Sequence, residues 1–380
     1  MIGADQATDV FIVGGGPAGL AAAIAARKKG FSVTVADGAA PPVEKPCGEG
    51  MMPETLTALA DLGVNFAEDE GFRFRGISFF QDAASVSADF PNGRGLGLRR
   101  PMLHQRLLLR ATACGVRILW NTPVCGIDGQ LVWLSRSTIR ANWIIGADGM
   151  GSRVRRWMGL DSSARNQRRY ATRRHYRAKP WSDRVEIHWG NSTQAYVTPI
   201  AGDEICVVTM AQSSKGATFE SALCEMPELE RKLRDAQPSG RERGAVTAMH
   251  SLRSVCRGNV ALIGDASGGV DALTGEGLRL AFRQAFALAD AMAAGKLSRY
   301  QRAHEEIARR PILMGNLMLW LSRHSRLRVR MVRAMQERPD VFSLLLATHV
   351  GAGTLARLFP AGARLGLRML TVSDGRTVEL

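Results

Sequence analysis

The chain has 380 residues and six cysteines, and no two of them form a CxxC pair. Cys47, Cys114, Cys125, Cys206, Cys224 and Cys256 lie scattered along it. A structural zinc site needs closely spaced ligands, so metal: none is the expectation, with the thiols reduced in a cytoplasm. No secretory leader is expected either. "MIGADQATDVFIVGGG" passes from an acidic polar stretch directly into a strand pattern. Long apolar runs are also missing. "PILMGNLMLWLS" (311–322) is among the longest, and a bilayer-spanning helix needs about 20 residues. Neither a zinc-finger nor an RNA-binding signature occurs, nor an HExxH helix, nor a Ser-His-Asp order. Nucleic-acid recognition, zinc hydrolysis and triad hydrolysis are therefore not expected.

What is present is globular and basic. The hydrophobic fraction is 46% and the charged fraction 22%, which is ordinary for a folded protein. The length suits two or three closely packed domains. The formal net charge is +15, which favours phosphates, a carboxylated substrate or an anionic membrane surface as partners.

The strongest local pattern is "DVFIVGGGPAGLAAAIAARKKGFSVTVADG". An apolar strand leads into Gly14, Gly16 and Gly19, which fit GxGxxG. A helix of small residues follows and ends at Gly30; a second strand closes on Asp37, 23 residues beyond Gly14. Each glycine has a physical task. Gly14 allows a tight turn, Gly16 admits a pyrophosphate against the backbone, and Gly19 lets helix and strand pack closely. The helix start offers free N–H groups to phosphate, and Asp37 can accept from ribose hydroxyls. This motif by itself does not separate FAD from NAD.

Two later stretches do. "WIIGADGMGSRVRRWMGL" (143–160) reads as a strand ending at Asp148, a Gly-Met-Gly turn, and a helix opened by Ser152, Arg153 and Arg155. "GNVALIGDASGGVDALTGEGLRLAFRQAFALADAM" (258–292) reads as a buried strand ending at Asp265, a glycine-rich loop with Gly275, and a long helix from Gly277. Asp265 can accept from a polyol, and the helix start can face an electron-rich ring edge. Together the three stretches resemble the FAD-binding signatures of the para-hydroxybenzoate-hydroxylase-like flavoprotein superfamily. "KPCGEG" and "LTGEGL" look most like geranylgeranyl-reductase-type members and related lipid-phenol and polyketide monooxygenases. Aromatic hydroxylases usually carry "GDAAH" and a later proline; "GDASG" and Ala272 stand here instead.

The resemblance gives a meaning to "EKPCGEGMMP" (44–53). A zinc half-site, a turn with a buried thiol, and a loop holding a cysteine against a redox cofactor all compete there. In the resembling reductases the loop runs beside the flavin ring and its cysteine faces it. Carried over, that residue is Cys47, with Gly48 and Gly50 allowing close approach. Lys45 would supply charge near the pyrophosphate or an entering nicotinamide, or would be solvated. Arg100, at the start of a helix with Leu103 and Leu107, would lie along the FAD. The alternative is a surface cap.

The implied fold is α/β. A discontinuous Rossmann-like FAD domain (1–73, 99–169 and 257–296) interleaves with a mostly antiparallel substrate sheet (74–98 and 170–256). A C-terminal helical cap (297–380) follows. "AYVTPIAGDEICVVT" occupies the place of an aromatic-rich W-x-F-P strand in the reductases; Pro199 is kept but the aromatics reduce to Tyr196. His175, Tyr176, His188, Trp189 and Tyr196 are candidates for a substrate wall. Around "WLSRHSRLRVRMVRAMQ", Arg323, Arg326, Arg330 and Arg333 read as one helical face, with Leu321, Met331, Val332 and Met335 on another. Such a helix either lies on an anionic membrane or caps the substrate domain.

The functional expectation is an FAD-dependent oxidoreductase acting on a lipophilic small molecule, cytoplasmic or peripheral at the membrane. NAD(P)H would be a transient reductant, since no second GxGxxG offers it a domain. The broken aromatic strand favours a monooxygenase, working through a flavin C4a-hydroperoxide, over an isoprenoid double-bond reductase. A non-enzymatic flavin- or lipid-binding module is the remaining class. The sequence has no GxWxWxIP-like stretch of a flavin-dependent halogenase.

Overall fold

A computed structural model describes residues 6–42, 47–161, 167–213, 218–270 and 274–353, with a few positions between 360 and 369. Lys45, Ala272 and the rest of the C-terminal segment lie outside these described residues.

The apolar strand Gln6–Val13 is the centre of the first sheet. It pairs in parallel with Thr138–Gly146 on one side and Val33–Ala36 on the other. Val260–Leu262 adds in parallel beyond Thr138–Gly146, and Arg117–Leu119 beyond Val33–Ala36. Parallel strands buried on both faces require continuous apolar runs, and "VFIV", "WIIG" and "VAL" supply them. The register aligns Val13 with Ala36 and with Gly146, and Gly146 with Leu262. Since all four strands run the same way, the residues just past them (Gly14, Asp37, Asp148 and Asp265) arrive at one edge of the sheet. That edge is where open α/β sheets bind ligands.

Helices Pro17–Lys28 and Gly277–Ala293 cover one face of this sheet and pack on each other. Small residues make the approach close. Ala21 to Ala26 are buried, and a Cβ on Gly264 would come within 2.8 Å of the Ala18 methyl.

The second sheet has eight strands and is antiparallel except where Arg184–Trp189 runs alongside Gly76–Gln81. Its other long members are Gln167–Arg177, Thr193–Ala201, Glu204–Ala211 and Gln237–Ser251. Gly268–Gly269, which follows the third cofactor signature, joins its edge and so ties the two sheets together. A three-stranded sheet of Gly50–Met51, Phe72–Phe74 and Gly95–Gly97 sits between them. Contact there is tight: a Cβ on Gly97 would lie 1.8 Å from the Pro199 carbonyl oxygen.

Three helices follow: Leu297–Arg323, Ser325–Glu337 and Pro339–His349. The four-arginine face expected here is divided. The helix breaks at His324, so Arg323 ends one helix while Arg326, Arg330 and Arg333 lie on the next. Leu321, Val332 and Met335 are buried as the amphipathic pattern requires. Helix Ser325–Glu337 places a different arginine inside the protein, Arg328, at 1% exposure. It donates to Gln81 Oε1, to the Ser322 carbonyl and to the Gly190 carbonyl, and lies over the Trp189 ring. Among the described residues no helix is long and apolar enough to cross a membrane.

Candidate active site

At the first signature the glycines divide into two groups. A Cβ on Gly14 would lie 2.5 Å from the Ala147 carbonyl oxygen, and one on Gly19 would lie 1.9 Å from the Gly14 carbonyl oxygen. These positions are closed by the protein itself. Gly16 differs: nothing lies within 4 Å of a Cβ built there. Gly16 is also the N-cap of helix Pro17–Lys28, with Pro17 at its first turn and no capping side chain. Uncapped N–H groups beside open space form a cradle for phosphate oxygens. Asp37 closes the second strand. Its Oδ2 accepts from Gly15 N at 2.7 Å and its Oδ1 from Ala39 N at 2.9 Å, so the carboxylate is fixed in place.

His104, which the sequence reading did not single out, supports the same turn from beneath. Its Nε2 lies 2.8 Å from the Gly15 carbonyl oxygen and therefore donates to it. Burial lowers its pKa, so the ring is neutral.

Asp148 has a structural task. Its Oδ1 accepts from Ser152 Oγ at 2.6 Å, and its Oδ2 from Arg153 N at 2.7 Å and Val154 N at 3.2 Å. The carboxylate is spent on capping the helix Arg153–Trp157, and the turn's shape is what it contributes to a cofactor. Arg155 then joins the second signature to the third. It donates to the carbonyls of Met150 and Ala266 and pairs with Asp161 at 2.7 Å.

The turn carrying Asp265 is braced from the cap. Ser267 Oγ donates to the Gly264 carbonyl, and His304 Nε2 reaches Ser267 Oγ at 2.9 Å. Burial pushes His304 down to about 4, so it is a neutral donor at pH 7. Gly275 sits at φ +65° in the loop, and Gly277 opens the long helix with nothing within 4 Å of a built Cβ. Gly48 is likewise open. Gly16, Gly48 and Gly277 are thus points where a bound molecule can approach backbone; they come from the first signature, the cysteine turn and the third signature.

The "CGEG" turn is held by a buried polar network centred on Glu49. Its side chain is fully buried and its φ of +58° lies in the left-handed region, which costs a non-glycine residue about 1–3 kcal/mol. Such a conformation persists only where the surroundings impose it. Glu49 Oε1 accepts from Arg100 N and Arg173 NH1, both at 3.1 Å; Oε2 faces His175 Nε2 at 2.7 Å; and its carbonyl accepts from Leu98 N. His175 Nδ1 lies 2.9 Å from Arg99 NH1. A guanidinium only donates, so Nδ1 accepts and the ring proton is on Nε2, pointing at Glu49. Arg99 in turn pairs with Glu204, which also accepts from Ser239 Oγ.

Cys47 sits at the start of this turn, partly buried, with its Sγ 3.4 Å from Glu49 N and 3.7 Å from Arg100 NH1. Arg100 is therefore beside Cys47 and is not a surface cap. The buried Cys206 thiol reaches the Cys47 carbonyl at 3.7 Å, and burial followed by the Glu49 charge keeps it protonated. Glu49, His175 and Cys206 bring one ligand atom each within 4.8 Å of one another. A metal there would have to displace Arg173 from Glu49 and the His175 proton from Nε2, so the cluster is built as an ion-pair network.

The substrate-wall candidates fall on two faces. Tyr196 packs with Ile200, Cys206, Val208 and Met210 on the face that meets the Cys47 turn. Tyr196 also packs against the cluster of Ile187, Trp189 and Leu321, as do the cap residues Met318 and Met331. Pro199 acts through its backbone against Gly97. Tyr176 and His188 are on the opposite face, contrary to expectation. Tyr176 packs on Phe219. His188 bonds Glu186 at 2.9 Å and stacks on Phe80. Strand alternation explains both: His175 and Tyr196 project inward, so their neighbours in phase with Tyr176 project outward.

Three glycine turns on one sheet edge, a cysteine turn beside them and an antiparallel sheet above define an FAD-dependent oxidoreductase of the para-hydroxybenzoate-hydroxylase-like type. The chain belongs to the family described as "FAD binding domain", whose model matches residues 7–297. It is similar to a menaquinone reductase of Mycobacterium tuberculosis, 26% identical over 300 residues covering 72% of this chain and 74% of that one. It is also similar to the 2-heptyl-3-hydroxy-4(1H)-quinolone synthase of Pseudomonas aeruginosa, 28% identical over 306 residues, 74% and 79% of the two chains. In fold it matches a flavoprotein/dehydrogenase from Cytophaga hutchinsonii with a TM-score of 0.82 at 17% identity, covering 96% and 100%.

The open glycine cradle and the uncapped helix starts fit FAD. Asp265→Ala is expected to be purified with most of its flavin missing. A lost charge-assisted acceptor weakens binding by about 10- to 150-fold. Visible absorbance per polypeptide measures it, and a full flavin complement in the variant would remove Asp265 from the site.

Proposed function

We propose that the protein is an NAD(P)H-using monooxygenase that hydroxylates a lipophilic aromatic or polyketide-like substrate. FAD supplies the redox chemistry, either activating oxygen or passing on a hydride; the chain supplies position, charge and exclusion of water. Tyr196, with Ile200, Val208 and Met210, offers an apolar surface that suits a molecule with an alkyl or polyketide body. Lys45 remains part of this proposal as a charge for the pyrophosphate or nicotinamide.

The observation that carries the choice of chemistry is the pairing around Cys47. Double-bond reduction needs a proton delivered to carbon. Glu49 is an acceptor three times over, His175 has both nitrogens engaged, and Arg99 and Arg173 do not release protons at physiological pH. Oxygen insertion places no such demand on these groups. The likeness to a 2-heptyl-3-hydroxy-4(1H)-quinolone synthase, whose name gives a product with a hydroxyl and a heptyl chain, supports the same reading.

A second reading is supported by Cys47 itself. Its thiol lies beside Arg100 and is the one protic group of the turn not committed as a donor in that network. The likeness to reductases then points to isoprenoid double-bond reduction. Long-chain phenol and polyprenyl substrates, each tried with and without oxygen, separate the two. Oxygenation gives a phenol product heavier by one oxygen, only in air, and Cys47→Ser retains most of this activity. A polyprenyl product gaining two hydrogens under anaerobiosis, lost in Cys47→Ser and with no oxygen entering any phenol, sinks the preferred reading.

A further inference from the structure

Helix Leu297–Arg323 carries three large apolar side chains in the open: Leu313 at 56%, Leu317 at 39% and Trp320 at 47% exposure. Their spacing is i, i+4 and i+7, so they form one stripe. The helix already buries its other side through Pro311, Gly315 and Leu319. The stripe is therefore not a misplaced core face. One turn towards the helix start it is bracketed by Arg309 and Arg310, both exposed, and Arg323 lies exposed at the other end. Glu306 is the acid nearest to it on that face. The Trp320 ring packs on His324 at a 35° tilt, centroids 4.7 Å apart, at the point where the helix breaks.

We propose that this face docks on an anionic lipid bilayer, with Leu313, Leu317 and Trp320 entering the interfacial zone and the flanking arginines meeting phosphate headgroups. The charge pattern selects this occupant. A second copy related by a two-fold axis would set the same arginines against each other. An anionic headgroup layer complements them, and the whole chain carries +15. An apolar stripe on a basic helix, too polar to span, is the arrangement that lies in the plane of a membrane surface, and tryptophan favours that depth. This inference does not depend on the proposed reaction, because it concerns binding and not turnover.

The test uses the flavin-loaded full chain and phosphatidylcholine vesicles with or without phosphatidylglycerol. Wild type is expected to sediment with the anionic vesicles, less so as salt rises. Leu313→Asn/Leu317→Asn/Trp320→Ser keeps the net charge and should lose at least tenfold in partitioning, with flavin content and thermal unfolding unchanged. Arg309→Gln/Arg310→Gln should lose about 30-fold at low salt. Brominated lipids should quench wild-type tryptophan emission more than that of Trp320→Phe. Three results overturn the proposal. The first is no binding by wild type. The second is equal binding by the apolar triple variant, which places the contact elsewhere on the basic surface. The third is a lipid-free dimer that the triple variant dissociates, which assigns the stripe to a second copy.

Discussion

Glu49→Ala is expected to lower the unfolding free energy by about 3–5 kcal/mol, because it leaves the Arg173 guanidinium buried without its anion. The Arg173 side chain is 4% exposed and Glu49 is its ion-pair partner. The same change strips acceptors from Arg100 N and from the His175 proton. Against a total stability of about 5–15 kcal/mol, this is enough to leave much of the variant unfolded when warm. Glu49→Gln keeps the volume but not the fit. One side of the amide would present N–H groups to the His175 proton, and His175 cannot turn its tautomer around because Arg99 already donates to Nδ1. Gln is therefore intermediate between Glu and Ala. Urea unfolding followed by far-ultraviolet circular dichroism gives the difference. An alanine variant within about 1 kcal/mol of wild type would mean that the network is not anchored by this ion pair.

The second large effect separates two glycines three residues apart. Gly19→Ala should damage the fold itself, since its methyl would sit 1.9 Å from the Gly14 carbonyl oxygen, backbone that cannot step aside. Overpacking of this kind costs about 1–3 kcal/mol or more and here separates helix from sheet. Gly16→Ala should leave the apoprotein folded, because nothing lies within 4 Å of its methyl. It should still lose the flavin, because the methyl fills the space left for a pyrophosphate. Thermal unfolding and flavin absorbance measured on both variants check this. Full FAD occupancy in Gly16→Ala would relocate the phosphate site.

The three glycine turns were legible in the sequence because each is a local pattern of strand, turn and helix start. Strand, glycine turn and helix are read within thirty residues, and parallel pairing alone carries the turns to one edge. The cysteine turn was legible as a position and not as a mechanism. Glu49 stands in the quoted "KPCGEG", yet its partners Arg100, Arg173 and His175 come from two other segments, and no spacing rule connects them. Arg155 stood in a recognised signature, and only the fold showed that it bridges to Ala266. Tyr176 and His188 were placed on the wrong wall because a strand buried on both faces hides which phase points inward. The broken cap helix escaped for a related reason: basic residues at helical spacing continue across His324, and the residue pulled into the core, Arg328, is as polar as those left outside.

The parallel register of the first sheet has a consequence for how the protein is made. Strand Gln6–Val13 emerges first, yet one of its two neighbours, Thr138–Gly146, follows more than a hundred residues later. The strand that delivers Asp265 comes later still. At about 5–20 residues per second, a nascent chain carries an apolar strand with an unpaired edge for many seconds. The dinucleotide cradle thus stays incomplete until two-thirds of the polypeptide has been synthesised. Flavin loading is in this sense a late event in the biogenesis of the protein, and the nascent N-terminal third is the part that most needs shelter from aggregation.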